Sequence, residues 1–309
     1  MNGVDVMISF SEFLDIPKID AHNHLNLGMR YSSYAPWAGF YIPNFPRKMS
    51  GLDEMHEIIG EYTRPRVQSA KDVSTLFSLS IEDAIEDGIK ILEASVDMGL
   101  AQFFRNTTAF CNMLESLKSQ YIKEISFRPE VGMGKTFDKA KLKRLVPDCI
   151  QSGVFGSIDL YGPEVLDGIE DFQAYFELAY KKGLKKKAHI GEFSNAQTVK
   201  DFVNFFELDE VQHGINAAYD DSALLLLKEK NVRLNITPTS NVMLSAVMSL
   251  ESHPIKRFVQ EGVRVSIATD DLLFFNRSVS EQCADMVNAG LFTKEEVLDI
   301  LNQSYEESL

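Results

Sequence analysis

The chain is 309 residues long and carries a formal charge of −14, from 45 acidic against 31 basic residues. An excess of that sign repels a polyanion, which argues against nucleic-acid binding, because such binders bring a basic patch to neutralise phosphates. With 45% hydrophobic and 25% charged residues, the composition is that of a globular protein with apolar residues enough for a large core.

Short β-rich runs alternate with helix-length amphipathic segments along the whole chain. The first expected strand is Lys18–His24. The segment 26–87 that follows is too long for a simple strand-to-helix connection and is rich in aromatics and proline (Tyr31, Tyr34, Trp37, Phe40, Tyr41 and Phe45, with Pro36, Pro43 and Pro46). It reads as an insertion, either a lid or pocket wall above the barrel mouth or a packed, purely structural addition. A helix is expected within it over Leu52–Tyr62, and His56 on that helix receives no site role.

Further strands are expected at Ile89–Asp97, Ile122–Val131, Phe155–Tyr161, Leu184–Ile190, Val211–His213, Val232–Thr237 and Val263–Thr269. Between them, helices are expected at Asp138–Gln151, Ile169–Lys182, Ala196–Glu207 and Asp220–Lys230, many opened by Asp, Asn or Ser and closed by Gly or Lys. The run Lys181, Lys182, Lys185, Lys186 and Lys187 reads as a solvated helix end and strand entry.

An eightfold βα alternation in a chain of this length predicts a (β/α)₈ TIM-type barrel forming one domain, 1–309, with its chemistry at the C-terminal ends of the strands. An open doubly wound sheet is the alternative, but no Gly-x-Gly-x-x-Gly turn follows the first strand. The cysteines Cys111, Cys149 and Cys283 are odd in number and far apart, which indicates neither disulfides nor a thiolate metal site and fits a reducing cytoplasm. Met1 to Phe13 includes Asp5 and Glu12 and lacks a basic n-region, and no run of about 18 apolar residues occurs, so neither secretion nor membrane insertion is expected.

His22 and His24, two apart at the end of the first strand, point to the same side and make a metal pincer. His189 and His213 end two other expected strands, and Asp270 and Asp271 end the last. Ionisable groups at so many strand ends are costly to bury unless paired or bound to a metal. Imidazoles with one carboxylate suit zinc, and the assignment is His22, His24, His189 and Asp270 as ligands of one ion per chain, which would lower the pKa of its water. Glu192, three residues after His189, is the candidate proton donor. His213 is placed to polarise or deprotonate the attacking water, and Asp271 to orient that water or His213. His253, followed by a proline that reads as the first turn of a helix, is taken as structural. Two adjacent aspartates on a strand would face opposite sides, so both reach one centre only if the backbone bends there.

The ordered motifs Lys-Ile-Asp-Ala-His-Asn-His-Leu, Asp-Leu-Tyr-Gly-Pro-Glu, His-Ile-Gly-Glu, Gln-His-Gly, Pro-Thr-Ser-Asn, His-Pro and Thr-Asp-Asp resemble those of the adenosine deaminases of the amidohydrolase superfamily, along most of the chain. The resemblance implies a barrel, a zinc ion on the same four ligands, Glu192 near purine N1, His213 activating the water, and Asp271 near the water and purine N7. It also implies that the backbone of Gly162 meets purine N3, and that His24 and Asn26 lie against the substrate. Family members usually carry Asp-Gly where this chain has Asn26 and Leu27, the Asp contacting the ribose 5′-hydroxyl; Asn can still hydrogen-bond a hydroxyl but has lost the charge. The expected partner is therefore a small purine, with adenosine or a close analogue as substrate.

Other readings keep the zinc and change the pocket: hydrolysis of a ring amide or ester, or deamination of a free base or a nucleotide. A nucleotide would want basic residues near the mouth, for which Arg30, Arg47 and Lys48 are the candidates. A non-catalytic binding protein on the same scaffold is the reading from a different class, and the presence of every proposed site residue argues against it.

Overall fold

Strands of a parallel barrel are covered on both faces and so read as nearly continuous buried runs. The computed structural model, which describes residues 7–39 and 48–309, contains eight such strands: β1 (Lys18–His24), β2 (Ile89–Asp97), β3 (Ser126–Gly134), β4 (Ser157–Tyr161), β5 (Lys185–Ile190), β6 (Glu210–His213), β7 (Arg233–Ile236) and β8 (Val265–Ile267). They pair in parallel in sequence order. The ring closes between β8 and β1, where the Asp270 amide donates to the His22 carbonyl (2.7 Å) and Asn23 bridges Asp270. This is the (β/α)₈ barrel expected from the alternation.

Edges differ where a helix end intrudes. β3 starts at Ser126 rather than Ile122, because Ile122 keeps helical dihedrals as the cap of helix Thr107–Tyr121 and the Ile125 amide still bonds the Tyr121 carbonyl. β8 is shorter than Val263–Thr269, since the Val263 amide is spent on the Phe258 carbonyl of the preceding helix and Thr269 is held by Asp20. Asp138, Asn195 and Asp220 cap their helices as the sequence suggests, each side chain accepting from backbone amides of the first turn. The expected helix 169–182 is a 3₁₀ turn, Ile169–Phe172, running into the helix Gln173–Lys181.

The segment after β1 forms helices Tyr31–Ala38 and Leu52–Ile58, a π-helical turn Ile59–Thr63 and the long helix Ala70–Glu86. Its apolar side chains form a second core: Leu27, Met29, Tyr34 and Met55 pack with Leu244, Leu273 and Phe274 from the loops after β7 and β8. The Met49 amide donates to the Met243 carbonyl (2.6 Å), stapling the segment to the β7 loop. Of the aromatics and prolines singled out there, Phe40, Tyr41, Phe45, Pro43 and Pro46 lie outside the described residues, as does Arg47.

Below the strand ends the barrel interior is ionic. Lys187, fully buried, lies 2.5 Å from Glu130, 2.6 Å from Glu93 and 3.1 Å from Glu210, and Arg233 pairs with Glu210 at 2.9 Å. The lysine run is thus not a solvated entry throughout. Strand alternation turns Lys187 inward, where three carboxylates compensate the desolvation of its ammonium.

Candidate metal centre

A bulge in β1 prepares the site. Between Asp20 and Asn23 three steps on β1 face two on β2, so Asp20 and Asn23, three apart, both bond the Thr269 hydroxyl (2.5 and 3.0 Å). Bulges re-aim side chains in this way. His22 and His24 are left to converge with His189 at the end of β5 and His213 at the end of β6; the His22 ring centroid lies 4.6 Å from that of His189 and 4.5 Å from that of His213.

Hydrogen bonds fix which nitrogens face the centre. His22 Nδ1 donates to the Asn235 carbonyl (3.2 Å), which leaves Nε2 with a lone pair and no hydrogen-bond partner although it is buried. His189 Nδ1 donates to Asp159 Oδ1 (3.0 Å), so its Nε2 lone pair faces inward too, 3.2 Å from His24 Nε2. Asp270 Oδ1 lies 3.6 Å from Nε2 of both His22 and His24, while its Oδ2 accepts from Ser240 (2.6 Å).

The aspartate pair is accommodated by the bend that two adjacent inward residues require. Asp270 has φ +63°, in the left-handed region, and so does His213 at +66°. Such conformations in non-glycine residues cost free energy and mark functional sites. As a result Asp271, fully covered, also lies near the cluster. Ligand atoms of His22, His24 and His189 fall within 4.8 Å of one another, as do those of His22, His213 and Asp270, and of His24, Asp270 and Asp271. Inward lone pairs, an orphaned buried nitrogen and a carboxylate fit a divalent cation taking N and O ligands.

The electrostatics separate the groups by role. Burial, then the neighbouring imidazoles, pushes His22 and His213 well below the ordinary imidazole value, and takes His24 down to about 3. These directions favour the neutral rings that His22 and His24 need as ligands, whereas at His189 the pull of the facing Asp159 outweighs burial and raises the value. Burial, then the carboxylates of Asp270 and Glu164, pushes Glu192 well above the carboxylate range, the direction that favours its protonated form. Its Oε1 accepts from Asn241 Nδ2 (2.6 Å), and its Oε2 lies 3.5 Å from His213 Nε2.

His22, His24, His189, His213, Glu192, Asp270 and Asp271 are thus brought together. Gly162 sits just beyond β4 at φ +104°, a conformation suited to glycine, and Asn26 is half-buried in the turn after β1. Arg30 instead pairs with Glu281 (3.1 Å), and Lys48 reaches the Met248 carbonyl (3.5 Å).

Sequence reasoning passed over four supporting residues. Asp159 orients His189, and Ser240 orients Asp270. Asn241 bonds Glu192. Glu164 accepts from the amides of Gly191, Glu192, Phe193 and Ser194 and from the Ser194 hydroxyl, holding the loop that carries Glu192. Each lay inside a quoted motif, and Asp159 was legible as a carboxylate in an otherwise apolar strand.

Three comparisons bear on this site. The family model described as adenosine deaminase matches residues 109–309. A protein of Treponema pallidum (strain Nichols), provisionally described as an adenosine/adenine deaminase, is 52% identical over 93% of this chain and 97% of its own. Among solved structures, the adenine deaminase of Arthrobacter aurescens superposes with a TM-score of 0.79 at 18% identity, covering 94% of this chain and 93% of that one. An amidohydrolase from Burkholderia ambifaria with bound zinc gives a TM-score of 0.76 at 17% identity, over 99% and 94% of the two chains.

Proposed function

The chain belongs to the adenosine deaminase family, hydrolases acting on C–N bonds, and from that premise we propose that it deaminates a 6-aminopurine nucleoside, adenosine or a close analogue, releasing ammonia and an inosine-type product. The observation that carries this reading is a buried Glu192, its carboxyl pushed up by that burial, set 3.5 Å from His213 beside a cluster of candidate metal ligands.

His22, His24, His189 and Asp270 would hold one zinc ion, a choice supported by the zinc in the Burkholderia ambifaria amidohydrolase of the same fold. Bound there, zinc would supply Lewis acidity and lower the pKa of a water molecule. Glu192 gives its proton from Oε2 to the ring nitrogen next to the reacting carbon, which makes that carbon a better electrophile. His213 polarises or deprotonates the attacking water, and Asp271 orients it. Gly162 offers its backbone to the far side of the purine, and Asn26 meets the sugar. The chain acts as one domain in this reading, with the described residues of the segment 26–87 walling the mouth of the pocket.

Free adenine is the second reading. Asn26 stands where the family usually has the sugar-contacting Asp, and the description of the Treponema pallidum relative spans both nucleoside and base. A nucleotide is less favoured, because Arg30 is already paired with Glu281.

The test is ammonia release from adenosine, 2′-deoxyadenosine, adenine and AMP by zinc-loaded protein. Turnover of a nucleoside is expected to exceed that of adenine and AMP. Preference for adenine over every nucleoside would overturn the substrate assignment.

A further inference from the structure

His253 and Asn241 come from the His-Pro and Pro-Thr-Ser-Asn motifs, and beyond the bond from Asn241 to Glu192 neither has a part in the mechanism above. Both are buried, at 3% and 0% exposure. They lie in one chain of hydrogen bonds. The Ile255 backbone amide meets His253 Nδ1 (3.1 Å), His253 Nε2 meets Asn241 Oδ1 (3.1 Å), and Asn241 Nδ2 meets Glu192 Oε1 (2.6 Å) and His213 Nδ1 (3.2 Å).

An imidazole and a carboxamide can each be turned round, so the polarity of such a chain must come from a group without that choice. The Ile255 amide is that group, because a backbone N–H only donates. His253 Nδ1 must therefore present its lone pair, which puts the hydrogen of the neutral ring on Nε2. Asn241 must answer with Oδ1. Its amide nitrogen then faces the site with two hydrogens, one for Glu192 Oε1 and one for His213 Nδ1. Thr237 Oγ1 lies 3.0 Å from the same His213 nitrogen, so its hydroxyl shares that nitrogen's single lone pair with the Asn241 amide.

We infer that His253 and Asn241 are positioning residues that, through this chain, hold the Glu192 proton on Oε2 and the His213 hydrogen on Nε2. Oε1 of Glu192 is engaged as an acceptor, so only Oε2 is open to carry the proton toward substrate. His213, with Nδ1 accepting, enters the site as a hydrogen-bond donor. Of the two roles open to it, it polarises the attacking water; the water's proton passes to the Glu192 carboxylate left after the ring nitrogen is protonated, and from there to the departing amine, which leaves as ammonia. The inference rests on the reading of Glu192 as proton donor, and its test is chosen to fail separately from that reading.

The test is imidazole ¹⁵N NMR of the full-length zinc-loaded protein, which reports the His213 tautomer without any turnover. The parent is expected to show the Nε2–H form. In His253→Leu the Nδ1–H form should appear, with zinc content unchanged, kcat lower by about tenfold to a hundredfold, and KM altered by less than about threefold. His253→Gln, whose Nε2 can donate to Asn241 and whose Oε1 can accept from Ile255, should keep at least about a third of the parent kcat. Asn241→Asp retains the acceptor but loses both donors, so it should match His253→Leu; it also serves as the test if the leucine variant does not fold. A parent with the hydrogen on Nδ1, or a folded His253→Leu protein with unchanged tautomer and kcat, would overturn the inference. Full activity in Glu192→Gln would instead overturn the proton-donor reading, and the tautomer measurement would stand or fall by itself.

Discussion

Asp159 touches the candidate metal centre through one hydrogen bond, from His189 Nδ1 at 3.0 Å, and that bond decides which nitrogen of His189 is available as a ligand. Carboxylate–histidine pairs of this kind raise ligand basicity as well as fixing the ring. Burial would lift the Asp159 carboxyl, but the facing imidazole of His189 holds it below its ordinary value, so it is charged. Asp159→Ala is expected to weaken zinc binding by about tenfold to a hundredfold, read by competition with a chelator; an unchanged affinity would remove Asp159 from the centre. Ser240 plays the matching part for Asp270, and Glu164 for the loop around Glu192.

At the scale of elements, the strand ends are where the chain departs from regular geometry, and glycine makes this possible next to the candidate ligands. Gly191 has φ +80°, and a Cβ there would lie 2.4 Å from Val199 Cγ2 and 3.2 Å from the Gly214 Cα, where the loops after β5 and β6 cross. Gly191→Ala is therefore expected to destabilise the fold by about 2 kcal/mol or more, measured by urea unfolding, and to lower activity with it; wild-type stability would contradict this packing. The same elements show what was legible beforehand. Period and turn chemistry located the strands, and β1 and β2 were placed to the residue, because both are long runs bounded by clear breaks. Short strands such as β8 were overextended, since an apolar residue like Val263 reads alike in a strand and in the turn leaving a helix. The candidate ligands were legible because histidine and aspartate are conspicuous at strand ends. The bulge in β1, the left-handed backbone at Asp270 and the contacts of Glu164 depend on long-range closure, which a local pattern does not encode.

At the scale of the molecule, the barrel carries a charged plug beneath its catalytic mouth. Lys187 sits among Glu93, Glu130 and Glu210, and burial pushes Glu130 up to about 7 even against the attraction of Lys187. Removing the Lys187 ammonium would take from Glu130 its one cationic partner among the described residues and leave Glu93 and Glu210 with one cation fewer. Lys187→Met is expected to cost about 3–5 kcal/mol in urea unfolding, whereas a neutral outcome would mean that the carboxylates simply take up protons. The other large-scale feature is the segment after β1, whose second apolar core joins the loops after β7 and β8 across the mouth. Described helices there pack as a wall around the opening. Hydrolytic deamination inside that wall, with Glu192 as proton donor, is checked by turning over adenosine in H₂¹⁸O with zinc-loaded protein and with Glu192→Gln. The parent is expected to release one equivalent of ammonia and a product bearing a single ¹⁸O in place of the 6-amino group, and the variant neither. Equal product from the variant, or no ¹⁸O-labelled product from the parent, would contradict it.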